Sequence, residues 1–129
     1  MYDKAVELLT VIGLPDAAGD PILSIIFETV TESICNKTNQ ETVPEGLERA
    51  GTYRIAGQYL KLKKNSGQLT ELNGMDFEGA IKQIQEGDTS ISFGVGDGDM
   101  TPEQRLEYII SWLLSYGEEQ MYRYRKLVW

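Results

Sequence analysis

The chain has 129 residues, 41% of them hydrophobic, and sets twenty acidic side chains against twelve basic ones for a net charge of −8. That length gives one domain with a real core and excludes two comfortable ones. The acidity argues against wrapping duplex DNA by phosphate neutralisation, and the lack of a run of about 18 or more apolar residues argues against a membrane span.

The charge is uneven along the chain. Residues 1–46 carry a net −6, 47–75 a net +3, 76–100 a net −5, and 101–129 are neutral. The opening "MYDKAVELL" has an early acid and no basic region before an apolar stretch, so it does not read as a secretory signal. A single cysteine, Cys35, cannot form an intrachain disulfide, which points to a cytosolic origin.

Val6, Leu9 and their flanking Ala5, Leu8 and Ile12 fall at helical spacing, which predicts a short helix over 3–12 stopped by Gly13 and Leu14-Pro15. "DPILSIIFETVTESICNKT" is the clearest helix. Asp20 supplies an N-cap, and Pro21 suits the first position, where its missing N–H costs nothing. Ile22, Ile25, Ile26, Val30 and Ile34 make its stripe, Glu28 and Glu32 fall off it, and the end is expected near Lys37.

A third helix is expected from Pro44 to Lys64, with Ala50, Gly51, Ala56 and Gly57 as small residues for close packing against the second. The bases of "KLKKNSG" suit the end of a helix dipole. Residues 65–80 read as a polar loop. From Ala80 onward Ile81, Ile84 and the alternating Thr89, Ile91 and Phe93 suggest short extended pieces around a turn at "EGD", a small β-hairpin. The last helix starts at Thr101-Pro102-Glu103-Gln104, an N-cap with a capping box. Its stripe is Leu106, Ile109, Ile110, Leu113 and Leu114, with Gly117 as C-cap.

Chemistry is thinly supplied. An EF-hand starting at Asp97 would have Pro102 where glycine is needed and Tyr108 where a bidentate acid is needed. "GVGDGD" lacks the lysine of a phosphate loop, and Asp97 and Asp99 would repel a phosphate. There is no histidine to act as general base or metal ligand. Cys35 reads as a small helix residue rather than a nucleophile, and the pairs Glu28/Glu32 and Glu118/Glu119 read as solvated faces.

The stretch "MYRYRKLVW" is different. Tyr122, Arg123, Tyr124, Arg125, Lys126, Leu127, Val128 and Trp129 mix aromatics with three bases, the residue types that dominate interaction hot spots. It docks on a partner, folds back on its own core, or contacts nucleic acid. An edge strand at Ser90, Ile91, Ser92 and Phe93 would likewise recruit a strand from another chain.

The order of these pieces, above all "VPEGLERA" and "EGDTSISF", resembles the head–tail connector (adaptor, or head-completion) proteins of tailed bacteriophages. The resemblance covers nearly the whole chain. It implies a mainly α fold of about four helices with a small β-hairpin or strand insertion before the last. It divides the chain into a helical connector domain at 1–120, with the insertion around 80–95, and a docking tail at 121–129. It also implies a structural, non-enzymatic virion protein without cofactors or bound metal, assembled in the host cytoplasm into a ring of about twelve copies. That ring would sit in the neck beneath the portal protein, meet further neck or tail-completion proteins, and pass duplex DNA without binding it specifically. Residues 122–129 would dock on the portal, Ser90–Phe93 would form the inter-subunit strand, and Asp97 and Asp99 would lie on an acidic loop that faces either the channel or a ring neighbour. A net −8 per copy suits a conduit that repels phosphate, and equally suits solubility. The rival reading is a small intracellular helical module that offers the same tail to a host or regulatory partner. A carboxylate-dependent hydrolase with a divalent metal is the enzymatic rival.

Overall fold

The computed structural model describes residues 1–69, 75–87 and 101–127. They are mainly helical: α1 Tyr2–Ile12, α2 Pro21–Thr38, α3 Glu48–Asn65, α4 Phe77–Gly87, α5 Pro102–Ser115 and α6 Glu118–Arg123. Short 3-10 turns at Pro15–Gly19 and Glu45–Leu47 precede α2 and α3.

α1 buries Ala5, Leu8, Leu9 and Ile12, while Val6, expected in the same stripe, is half-buried. Gly13, at φ 121°, reverses the chain, and the Leu14 N–H closes back on the Leu9 carbonyl at 2.8 Å. α2 starts as expected, with the Asp20 carboxylate accepting the Ile22 N–H at 3.0 Å. The other Asp20 oxygen accepts the Tyr59 hydroxyl at 2.7 Å and meets Lys63 Nζ at 3.3 Å, so one cap also ties α2 to α3. Asn39, left-handed at φ 54°, ends α2 just beyond the predicted Lys37.

α3 is the central helix, packed against α1, α2 and α5. Every residue from Ala50 to Gly57 is buried, so small side chains are needed on several faces at once. A Cβ on Gly51 would run into Met1 and Ile34, and one on Gly57 would press on Leu113 and Leu114 at 3.0–3.2 Å. The close packing read from sequence is therefore real, but at Gly57 it serves α5 rather than α2. Leu60, Leu106, Ile109 and Leu113 are almost wholly buried around this junction, each worth roughly 1.5–3 kcal/mol of burial. Tyr53, Trp112 and Tyr116 close one end, with ring centroids 5.0–5.4 Å apart.

Four expectations are corrected. The α2 stripe is not the one expected: Ile26, Val30 and Ile34 are buried and Leu23 and Thr38 join them, but Ile22 and Ile25 are 40% and 60% exposed. The third helix does not begin at Pro44: that residue opens a 3-10 turn, and the α-helix begins at Glu48. Six α-helices, not about four, occur among the described residues. The stretch from Ala80, expected as the first part of a β insertion, is the body of α4. Phe77, Ala80 and Ile84 are buried at spacings of three and four, which is a helical stripe. Asp76 caps it by accepting the Gly79 N–H at 2.9 Å, while its own N–H reaches the Ile12 carbonyl at 2.8 Å. Gly79, which reads as a loop residue, leaves room for the Asp76 carboxylate to fold over the first turn. No strand occurs among the described residues. Ser90, Ile91, Ser92 and Phe93 lie outside them, as do Asp97 and Asp99.

Candidate docking site

The carboxyl-terminal segment has a fixed root. Gly117 turns the chain at φ 77°, and a Cβ there would lie 2.6 Å from the Ala50 Cβ, so only glycine lets α6 leave α5 this close to α3. Glu118 then places Oε2 2.5 Å from an Arg54 guanidinium nitrogen and Oε1 3.7 Å from Lys37 Nζ. Arg54 is 8% exposed, a buried charge in the middle of α3 that needs an acid beside it. Burial pushes the Glu118 carboxyl up, but the Arg54 charge and hydrogen bond, with help from Lys37, outweigh it and hold the group below its ordinary range. Met121, counted with the tail in the sequence, is 4% exposed and belongs to the core.

Beyond α6 the chain lies as a strap along the end of α2. The Lys126 N–H donates to the Thr38 carbonyl at 2.7 Å, an acceptor left open at the helix terminus. The Asn39 amide donates to the Lys126 carbonyl at 3.1 Å, and the Gln40 amide to the Tyr124 carbonyl at 2.5 Å. The Tyr124 hydroxyl occupies the space where a Cβ on Gly46 would sit. These bonds hold the backbone and, Tyr124 apart, leave the side chains out. Tyr122 is 75% exposed and Leu127 71% exposed. Arg123, Arg125 and Lys126 are exposed as well.

Those three bases make no ion pair among the described residues. By contrast Lys37, Arg54, Lys63, Lys64 and Arg105 each meet a carboxylate. Lys4, Lys61 and Lys82 also make no ion pair among the described residues, but they are scattered over α1, α3 and α4, whereas three such bases adjoin on the strap. Val128 and Trp129, the rest of the expected docking segment, lie outside the described residues.

Sequence reading names Gly117 as a helix-ending glycine but misses the other groups that position this segment: Arg54, Glu118, Thr38, Asn39 and Gln40. Glu118 was read as a solvated face beside Glu119, yet it serves the buried Arg54. A basic residue inside the small-residue run "AGTYRIAG" was the available signal, because such a charge must find a partner. Glu28 and Glu32 are exposed, as expected.

The other chemistry-bearing features do not converge. Among the described residues no group of three or more histidine, cysteine, aspartate or glutamate side chains could hold a metal ion. Cys35 is half-buried, with Sγ 3.7 Å from the Glu41 carbonyl. A groove of about 720 Å³ is lined by Lys4, Glu7, Glu45, Glu48, Arg49 and Tyr53 among others, a mixture of signs that selects no ligand. Among the described residues no helix is long and apolar enough to cross a membrane. Comparison with family models, with curated proteins and with solved structures finds no match to this chain.

Proposed function

We propose that this chain is a structural head–tail connector of a tailed bacteriophage, an adaptor that rings the portal, links the filled head to the tail and passes DNA. The observation that supports this best is the anchored strap: a fixed root at Gly117–Met121, a backbone pinned to α2, and Tyr122, Leu127 and three unpaired bases left in solvent. A surface of this kind is built to be covered by another molecule, because aromatic and arginine side chains are the usual anchors of protein interfaces. In this reading residues 122–129 dock on the portal protein. Ser90, Ile91, Ser92 and Phe93 join neighbouring subunits of a ring of about twelve copies, and Asp97 and Asp99 sit near the channel. The net −8 then keeps duplex DNA moving rather than held.

The test is a chain ending at Arg123, which keeps Met121 and the Arg54–Glu118 pair. It should fold with near-native helix content, its thermal stability lowered only by loss of the strap's bonds to Thr38, Asn39 and Gln40, yet fail to join portal-bearing heads in an assembly assay. Full decoration of heads by that shortened chain would refute the reading. Ring formation on isolated portals, seen by negative-stain imaging of the intact protein, is the second expected result.

A further inference from the structure

The strap's composition specifies what covers it. We infer that the docking partner presents an acidic protein surface with apolar hollows, the carboxylates facing Arg123, Arg125 and Lys126 and the hollows receiving Tyr122 and Leu127. The inference rests on the docking role proposed above and adds the chemistry of the partner.

Three observations carry it. First, the bases are exposed and unpaired among the described residues, although they offset a net −11 on the rest of the chain to give −8. Their charge is thus available to a second molecule. Second, Tyr122 and Leu127 are more exposed than any other large hydrophobic side chain among the described residues, and they bracket the basic run. A polyanion that offered only phosphate would leave both uncovered, whereas a folded protein surface can pair the charges and bury the apolar groups together. Third, the backbone is already fixed by Thr38, Asn39 and Gln40. Binding therefore orders side chains rather than a free tail, which lowers the entropic cost of association.

The experiment measures binding of the intact chain to the portal ring encoded in the same genome, by biolayer interferometry. Raising NaCl from about 50 mM to about 500 mM should weaken wild-type binding by about tenfold or more, because rim charges are screened at short range. A variant carrying Arg123→Glu, Arg125→Glu and Lys126→Glu should bind about 100-fold more weakly, with its melting temperature unchanged, since the strap's backbone bonds are kept. The Arg123→Lys, Arg125→Lys variant should recover most of that loss. Tyr122→Ala and Leu127→Ala should weaken binding to a similar degree at both salt concentrations.

Tight portal binding that ignores both salt and charge reversal would overturn the acidic partner while leaving the docking role standing. Duplex DNA captured by the wild type and released by the charge reversal, with portal binding unaffected, would show the bases serving nucleic acid instead. Salt-sensitive self-association of the isolated chain, abolished by the same reversal, would make a second copy the occupant and overturn the inference. Absence of any wild-type binding to the portal would remove both the docking role and the inference.

Discussion

Replacing Glu118 with glutamine should destabilise this protein more than replacing Arg54 with methionine, although both changes break the same ion pair. Arg54 is 8% exposed, and among the described residues Glu118 stands 2.5 Å from it as its acidic partner. Glu118→Gln leaves the guanidinium buried with a neutral acceptor. Breaking one side of a fully buried pair costs about 3–5 kcal/mol. The Glu118 side chain is 55% exposed, and the glutamine oxygen still accepts one hydrogen bond, so the expected loss is about 2 kcal/mol. Arg54→Met instead removes the buried charge, together with an Nε that has no hydrogen-bond partner. The freed Glu118 turns to water and Lys37, for an expected loss of about 1 kcal/mol or less. The double variant should then be less than additive by about 1 kcal/mol. Urea unfolding followed by circular dichroism reads this directly: with a slope of about 2 kcal/mol/M, Glu118→Gln lowers the midpoint by about 1 M.

The pH dependence gives a second readout. Glu118 is held below its ordinary value of 4.5 in the folded protein, so its contribution is fully present above that value. It is lost as pH falls through the lowered folded value, and the gap between wild type and Glu118→Gln should close over the same range. A Glu118→Gln variant within about 0.5 kcal/mol of wild type at neutral pH, or an Arg54→Met variant that is the less stable of the two, would refute the reasoning.

Three further outcomes are expected. Gly117→Ala should cost about 2–3 kcal/mol, since it combines a left-handed φ with a clash against Ala50, and thermal melting should show it. Thr101→Ala should cost about 1 kcal/mol, because Thr101 and Gln104 exchange hydrogen bonds at 3.0 and 3.2 Å, with the loss visible in urea midpoints. Tyr59→Phe should cost about 1 kcal/mol. The Tyr59 hydroxyl, followed by the Ile22 N–H, holds the Asp20 carboxyl below its ordinary range, so this difference should shrink as pH falls below 3.8, toward the folded value.

How far the sequence was readable depended on whether a signal was local. α2 and α5 carry their own punctuation, Asp20-Pro21 and Thr101-Pro102 with Gln104, and both begin where the sequence says. α4 is hidden because Ile81 and Ile84 run into the alternation that follows them, while the deciding partners, Phe77 behind and the Asp76 cap, sit in the stretch that reads as a polar loop. The tail was noticed for its composition, but its anchoring was hidden. Arg54 and Glu118 are 64 positions apart, and the Asn39 amide and Lys126 carbonyl are 87 apart. No window of sequence holds both members of either pair. Periodicity finds the face a helix buries, while a contact between a helix end and a distant backbone carbonyl leaves no periodic trace.

The crowding of α3 against its neighbours also constrains how this sequence can drift. Side chains on the outer face of α2, such as Ile25 at 60% exposure, are free to change over generations. Positions 57 and 117 are not, because the Leu113 and Ala50 Cβ atoms stand where a larger group would go. Distant kin should therefore keep small residues at those two places after most other identities have faded, and their spacing is a signature by which such kin could be found.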